Sequence, residues 1–462
     1  MRKITTILQI MAVTTVLAIA SNASASHFRY GHIFWKQVGN NTVEATVQAA
    51  WRRNGYVCWD ASTLTVTACS SDDGLPGVGD VFLENIGGTT LNWGDGTIAS
   101  SPLGRLLFVV TSIDTDNNWL FAEALDATSL PAIDTTLSHT YATPGDYTAF
   151  IGSCCRISAI SSPNEHINNP DGAYQVQTII NAGTTNNSPI SVSSPIVTCP
   201  INGLCQFSIP ASDPDADPLT FRLSTSSEAG SGFSQPPGAT VDSTSGVYSW
   251  DTTGAQLASN PANNTLYSTQ VTIEDATSKV ALDFFIQLVD DVDPNPPQIT
   301  PSPNSPPICN TTQVVNLGDT KSFDVLASDV DPGDMITLNV VGLPDGATMQ
   351  PQLPVTDNPV SSIFSWMPTS SDLGDHVMNF TAASTGGGSA DCPVTVRVTD
   401  PCDIDADDDI DVDDVNLIFS ARNTPSSGPN DPRDADGDGV ITVLDGRICA
   451  LKCTLENCAT PE

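Results

Sequence analysis

Positive charge is scarce in this sequence, which has 16 Lys and Arg against 53 Asp and Glu and therefore a net charge of −37. Binding to nucleic acid or to an anionic membrane requires Lys and Arg that displace counterions from phosphates, so the charge excludes both as partners. The acidic excess attracts divalent cations. It is also typical of a solubility adaptation to salty surroundings, and the charge alone leaves both explanations open.

Long hydrophobic runs are absent beyond the N-terminus. Residues 4–20 are uncharged and mostly apolar, follow two basic residues and precede Ala23-Ser24-Ala25. This pattern predicts a signal peptide over residues 1–25. A retained membrane anchor is the alternative, although the run is barely long enough to span a bilayer. No second run could cross a membrane, so we expect a secreted protein that is extracellular or held at the cell surface.

Catalytic signatures are missing as well. The sequence has five His and no G-x-S-x-G, H-E-x-x-H or P-loop pattern. We therefore expect that the protein is not an enzyme. Four tryptophans keep carbohydrate open as a partner because they could stack on sugars, although tryptophans in a β-sandwich are more often core. They are Trp51, Trp59, Trp93 and Trp119.

The twelve cysteines fall into four groups of even size, which indicates modules that are each oxidised internally in an exported protein. The groups are Cys58, Cys69, Cys154 and Cys155; Cys199 and Cys205; Cys309 and Cys392; and Cys402, Cys449, Cys453 and Cys458. No Cys or His spacing supports the alternative of a zinc site. If residues 147–157 form one strand, Cys154 and Cys155 face opposite sides of it. Cys58 and Cys69 are then their predicted partners, and Cys309 is predicted to pair with Cys392.

Turn-rich and Pro-rich stretches divide the chain. The predicted boundaries are the signal peptide at 1–25, a first module at 26–185, a second module at 186–292, a Pro-rich linker at 293–307, a third module at 308–400, and a C-terminal module at 401–458.

Short β-rich runs separated by Gly, Pro and Asp predict tandem antiparallel β-sandwiches, and therefore a mostly β protein. In the first module, apolar and polar residues alternate over positions 43–51, which is typical of a half-buried strand. The second and third modules repeat each other. The same spacing separates Phe207 from Phe323 and Trp250 from Trp366.

The repeated modules resemble immunoglobulin-like and cadherin-like domains of bacterial surface proteins. Residues 327–333 (Ala-Ser-Asp-Val-Asp-Pro-Gly) resemble the cadherin A-x-D-x-D-x-G element, and residues 291–297 resemble the cadherin linker more loosely. The resemblance implies calcium at the module junctions. The candidate ligands are Asp291, Asp293, Asn295, Asp329 and Asp331, with Asp213 and Asp215 as the equivalent pair in the second module. The alternative is that these are polar turn residues.

The first module contains Trp93-Gly94-Asp95-Gly96-Thr97 and, later, His139-Thr140-Tyr141. These motifs resemble those of PKD-type β-sandwiches. The resemblance implies a tight turn at the first motif and a late strand at the second.

Two twelve-residue acidic loops occupy the C-terminal module, and each leads into a short amphipathic stretch. Oxygen donors recur at positions 1, 3, 5, 7, 9 and 12, a spacing that wraps six ligands around one Ca²⁺, with position 7 donating its backbone carbonyl. The first set is Asp403, Asp405, Asp407, Asp409, Asp411 and Asp414, and the second is Asp434, Asp436, Asp438, Val440, Thr442 and Asp445. The alternative is a solvated acidic tail.

The paired loops, each followed by one helix, resemble a type I dockerin. This resemblance implies a small α-helical module after the β-sandwiches, bound Ca²⁺, and a cohesin-like or other surface protein as partner. We therefore expect an exported, non-catalytic, multi-module protein for adhesion, surface assembly or ligand display. The alternative is a component of extracellular polysaccharide degradation, either a carbohydrate-binding subunit or an unrecognised glycoside hydrolase.

Overall fold

The structure is a computed structural model that describes residues 28–460 apart from short segments. Those segments are 84–88, 116, 161–162, 216, 291–294, 301–307, 370–371, 386–387, 401, 406–409, 427–430, 436–437 and 454–457. The predicted signal peptide lies outside the described residues, as do Asp291, Asp293, Asp407, Asp409 and Asp436. No helix in the described part of the chain is long and apolar enough to cross a membrane.

Strands dominate the molecule, which confirms the predicted mostly β fold. The first module contains β1 (Phe28–Gly39), β2 (Thr42–Arg52), β3 (Cys58–Asp60), β4 (Thr65–Thr67), β5 (Val81–Leu83), β6 (Leu91–Asn92), β7 (Ile98–Ala99), β8 (Leu107–Asp114), β9 (Trp119–Ala124), β10 (Leu137–Thr140), β11 (Gly145–Cys154), β12 (Asn164–His166) and β13 (Ala173–Ala182). The second contains β14 (Ile190–Ser191), β15 (Ile196–Pro200), β16 (Leu204–Ser208), β17 (Ala211–Ser212), β18 (Thr220–Leu223), α1 (Ser226–Ala229), β19 (Thr240–Val241), β20 (Val247–Asp251), β21 (Asn264–Glu274) and β22 (Lys279–Val289).

The third module and the C-terminal module complete the described chain. The third contains β23 (Gln298–Thr300), β24 (Thr311–Asn316), β25 (Lys321–Ser328), β26 (Ile336–Val341), β27 (Thr348–Gln350), β28 (Val355–Asp357), β29 (Val360–Trp366), β30 (Gly374–Ser384) and β31 (Ser389–Thr399). The C-terminal module contains α2 (Val412–Ser420), β32 (Thr424–Pro425), β33 (Val440–Ile441) and α3 (Val443–Ala450).

Strand β2 organises the first module. It pairs with β1 along its length and with β10 and β9 on its other edge. The predicted alternation is confirmed, because the odd-numbered residues 43–49 are fully buried in the core of the module. Successive side chains of a strand point to opposite faces, so Glu44, Thr46 and Gln48 lie on the outer face of this sheet.

Strand β22 of the second module continues the hydrogen bonding of the first. It pairs antiparallel with β1 and β13 of the first module and with β21 of its own. At this junction Arg156 donates to both carboxylate oxygens of Asp283, each at 2.6 Å, and neither side chain is exposed. His32 is equally buried and bonds to the carbonyl oxygen of Ala281 at 2.9 Å. The first two modules are therefore joined by sheet pairing and by buried polar contacts.

The third module is a sandwich of two sheets, β23-β25-β29-β27 and β24-β31-β30-β26-β28. Its early strand β24 lies parallel to its last strand β31, and β15 and β22 of the second module are likewise parallel. The second and third modules also share an equivalent tryptophan hydrogen bond. The indole N–H of Trp250 donates to the carbonyl of Pro237 at 2.9 Å, and that of Trp366 donates to the carbonyl of Asp345 at 3.0 Å.

The third module packs against both earlier modules. Its Val341 and Val377 join the hydrophobic cluster of the second module. The hydroxyl of Ser112, in β8, donates to the side-chain oxygen of Asn339 in β26 at 3.4 Å. Three modules therefore meet around the outer face of β1 and β2.

The C-terminal module is small and helical at its centre. Helices α2 and α3 pack together around a short β32–β33 ladder, and the Cys402–Cys449 disulfide ties the start of the module to α3. Ile410 and Ile441, which hold the same position in the two acidic loops, are both buried in the shared core.

Disulfides stay within the predicted cysteine groups, and the Cys309–Cys392 bond is confirmed. The predicted cross-pairing in the first module is wrong, because Cys58 pairs with Cys69 and Cys154 pairs with Cys155. The prediction required one strand through residues 147–157, whereas β11 ends at Cys154. Side-chain alternation therefore does not apply to the neighbouring cysteine.

Candidate functional site

A cavity of about 210 Å³ opens where the three β modules meet, and we call it the junction cleft. The outer face of the first sheet contributes Phe34 and Lys36 from β1 and Gln48 from β2. The second module contributes Asn187, Ile190, Ser191 and Pro214, and the third module contributes residues 342–345 and 372–377. None of these segments forms the cleft alone, so it exists only because the modules pack together.

Two acceptor groups of the first module face the cleft. The amide nitrogen of Gln48 donates to Glu123 Oε1 at 2.9 Å. The amide oxygen of Gln48 is buried and has no hydrogen-bond partner among the described residues. Burial raises the pKa of Glu123, and the negative charge of Asp345 in the third module raises it further.

Asp345 lies at the exposed rim of the cleft on the opposite side. Partial burial raises the pKa of its carboxyl group, and so do the neighbouring carboxylates of Asp372 and Asp134. His376 adds no full positive charge, because burial lowers its pKa even though its Nε2 donates to the Asp372 carbonyl oxygen at 2.8 Å. The potential in this part of the cleft is therefore negative.

The cations in and beside the cleft are engaged by other carboxylates. Lys36 Nζ lies 3.5 Å from Glu44 Oε2. Arg397 donates to both oxygens of Asp375, at 2.6 and 2.8 Å, and the Ser212 hydroxyl donates to the same carboxylate. Asp375 thus links the second and third modules.

The first acidic loop of the C-terminal module brings three predicted ligands together. One carboxylate oxygen from each of Asp403, Asp405 and Asp414 lies within 4.8 Å of the others. Asp414 is fully buried and accepts the backbone N–H groups of Ile404 at 2.5 Å and Asp411 at 2.8 Å. Asp411 instead caps α2 by accepting from Asp413 N.

The second acidic loop is arranged differently. Asp434 accepts from Gly439 N at 2.9 Å, and its other oxygen is buried with no hydrogen-bond partner in the described part of the chain. Gly439 has φ +88°, a left-handed backbone conformation that glycine adopts without steric cost. Asp438 accepts from Val440 N, and both the N–H and the hydroxyl of Thr442 donate to the buried Asp445. The described residues of this loop form no three-carboxylate cluster.

At the start of the third module, Asp329 and Asp331 form a cluster with Asp334, and their carboxylate oxygens lie within 4.8 Å of one another. Sequence reasoning missed Asp334, although it follows the Asp-x-Asp element directly after a turn. Asn295 lies beside this cluster and donates its amide nitrogen to Asp331 at 3.2 Å, and metal binding by Asn295 stays a prediction.

Asp213 and Asp215 accept hydrogen bonds from different parts of the second module. Asp213 accepts from the backbone N–H groups of Asp215 and Asp217, whereas Asp215 accepts from the backbone and side chain of Asn187. Burial is the main reason that the pKa of Asp213 is raised to about 6. These bonds fit turn residues, and metal binding by this pair stays a prediction.

The fold and the sites define a class: a multi-module β protein with immunoglobulin-like domains. Residues 29–183 match the family model for the N-terminal domain of integrin beta-like proteins A–E, and residues 190–316 match that for the second Ig-like domain of the same proteins.

Similar proteins found by sequence comparison are also named integrin beta-like proteins. Integrin beta-like protein C of Dictyostelium discoideum is 27% identical over 425 residues, a match that covers 82% of this chain and 19% of that protein. Integrin beta-like protein E of the same organism is 32% identical over 204 residues, covering 42% of this chain and 9% of that protein. This chain thus spans about a fifth or less of the length of these relatives.

The similarity to solved structures is too low to support a conclusion about this chain. The crystal structure of human protocadherin-24 EC1-2 is matched over 46% of this chain and 99% of that chain with 15% identity, but the TM-score is 0.18.

These matches correct the family resemblances drawn from motifs. The similarity is to integrin beta-like proteins, and the resemblances to a type I dockerin and to PKD-type and cadherin-like bacterial domains are wrong as an identification. Each rested on a short motif, whereas the first family model matches nearly the whole first module. The immunoglobulin-like part of the prediction is confirmed. The matched family is not one of enzymes, which confirms the prediction of a non-enzymatic chain.

Proposed function

We propose that this chain is part of a non-catalytic adhesion or ligand-display protein that works outside the cell or at its surface. Its similarity to integrin beta-like proteins supports this role. The observation that carries it is the pairing of β22 with β1 and β13. That pairing holds the two matched domains in one orientation, as the presentation of a surface to a partner requires. All twelve cysteines form disulfides, in keeping with an oxidising compartment.

Bead adhesion tests this proposal. Beads coated with the purified chain should attach to cells or surfaces of the producing organism, and beads coated with the reduced and alkylated chain should not. Equal attachment of both would contradict the proposal. Release of new sugar reducing ends from extracellular polysaccharide would instead support the alternative role in polysaccharide degradation.

We also propose that the C-terminal module binds Ca²⁺, with the first acidic loop as the principal site. The cluster of Asp403, Asp405 and Asp414 supports this, because three carboxylates this close repel one another and a hard cation with a preference for oxygen offsets the repulsion. The second loop and the cluster of Asp329, Asp331 and Asp334 are further proposed sites, with oxygen donors of the same kind.

Calorimetric titration of the chelator-treated chain with Ca²⁺ tests the first loop. Asp403→Asn should lower the measured stoichiometry by one. Asp413→Asn is the matched control, since it makes the same charge change at an exposed position of α2 that lies outside the cluster. No heat of binding in the unmodified chain, or the same stoichiometry in both variants, would contradict the site.

A further inference from the structure

The junction cleft contains a buried acceptor that lacks a donor. Gln48 is 5% exposed, and its amide nitrogen donates to Glu123. This bond fixes the orientation of the amide, because a flipped amide would place its oxygen against the Glu123 carboxylate. The amide oxygen of Gln48 is therefore left without a donor among the described residues. A buried polar atom of this kind indicates a group that the cleft is built to receive.

The charges of the cleft indicate that this group is a cation. Glu123 and Asp345 belong to different modules, and the negative charge of Asp345 raises the pKa of Glu123 in addition to the effect of burial. In the described part of the chain neither forms a salt bridge, because Lys36 is held by Glu44 and Arg397 by Asp375. The carboxylates of Glu123 and Asp345 and the amide oxygen of Gln48 are all acceptors, so the matching ligand is a multiple donor with positive charge.

The walls of the cleft indicate an alkyl stem behind the cation. Phe34, Leu343, Pro344 and Val377 contribute apolar surface to the lining. Arginine and lysine combine a polar, charged head with an apolar stem that packs on such surface. A guanidinium also presents several N–H donors in one plane, enough to reach two carboxylates and an amide oxygen.

We propose that the junction cleft binds the side chain of an arginine or lysine presented by a partner polypeptide. The head group lies between Glu123 and Asp345 and donates to the amide oxygen of Gln48, and the stem lies against Phe34 and Leu343. All three modules contribute to the cleft, so binding depends on their packing against one another. The cleft would recognise this group whether or not the chain takes part in adhesion.

Titration calorimetry with the full chain at low salt tests the site. The probes are a capped Gly-Gly-Arg-Gly-Gly peptide, the same peptide with neutral citrulline in place of arginine, and agmatine as a free guanidinium. We expect the arginine peptide to bind at least about tenfold more tightly than the citrulline peptide, the loss associated with one charged hydrogen bond. Equal affinity for both peptides, or no binding up to about 10 mM, would overturn the proposal. If agmatine binds as tightly as the peptide, the cleft recognises a free guanidinium equally well, and the proposal of a polypeptide partner is overturned.

Two variants locate the binding. Glu123→Gln and Asp345→Asn should each lower the affinity for the arginine peptide by about tenfold or more. Each substitution removes one charged acceptor and keeps the shape of the side chain. Asp60→Asn is the control, since it removes the same charge at the end of β3, which does not line the cleft. Thermal unfolding checks that all three variants fold. Unchanged affinity in both cleft variants would show that the peptide binds elsewhere.

Discussion

Arg156 and Asp283 show how much one residue can matter at a module junction. Both side chains are fully buried, and Arg156 also lies over the ring of Phe233. Arg156→Met leaves the Asp283 charge buried without its partner, so we expect a loss of about 3–5 kcal/mol in the free energy of unfolding. Lys452→Met, which breaks the exposed pair with Asp400, should cost about 0–1 kcal/mol. Chemical denaturation measures both, and similar losses would contradict the role of Arg156.

His32 makes stability depend on pH at the same junction. Its Nε2 accepts from Ser191 N at 3.1 Å, so the ring is neutral and donates through Nδ1 to Ala281 O. Burial lowers the pKa of His32 to about 4, whereas it is about 6.5 in an unfolded chain. The unfolded state therefore takes up the proton first, and the contribution of His32 to stability is full above about pH 6.5 and is lost as pH falls towards 4.

The variant His32→Gln isolates this effect from the other titrating groups. The difference in melting temperature between the unmodified chain and the variant should be largest at about pH 7.5 and smaller at about pH 5. A difference that stays constant over this range would show that His32 does not titrate in the way its burial requires.

At the scale of elements, two disulfides should differ in how much they stabilise their modules. Cys309–Cys392 closes a loop with a sequence separation of 83, and Cys199–Cys205 closes one of 6. In the chain-entropy model, the long loop contributes about 4.5 kcal/mol and the short one about 2 kcal/mol, because a longer loop restricts the unfolded chain more. Paired Cys→Ala variants, compared by denaturant unfolding, measure the difference. A larger loss at the short loop would contradict the model for this chain.

The sequence predicted individual elements better than their assembly. The alternation in β2 and the repeat that places Trp250 and Trp366 depend on local patterns, which follow directly from side-chain burial. The pairing of β22 with β1 joins residues that are far apart in the chain, and no periodicity indicates it.

The candidate sites show the same limit. Asp403, Asp405 and Asp414 lie in one loop, and their spacing was enough to predict that they meet. Gln48, Glu123 and Asp345 come from separate strands and loops of two modules, and they meet only through packing that leaves no motif in the sequence.

At the scale of the whole molecule, the first two modules should unfold together. Strand β22 contributes to both, so neither can lose its structure without exposing hydrogen-bonding edges of the other. In Arg156→Met, we expect amide-hydrogen exchange to accelerate in β2 of the first module and in β21 of the second to a similar extent. Strands of the third module serve as the internal control. Acceleration confined to β2 would show that the modules open independently.

The parallel pairing of β15 with β22 has a mechanical consequence. These strands lie near the two ends of the second module, and five residue pairs align along them in the same direction. In the third module β24 and β31 are paired in the same way, but the Cys309–Cys392 disulfide joins the chain just before β24 to β31, so this covalent bond carries the tension there. The second module has no such bypass. When the chain is pulled from both ends, β15 and β22 are drawn past each other, and tension loads all their hydrogen bonds in shear at once, whereas an antiparallel pair would unzip one bond at a time under a weaker pull.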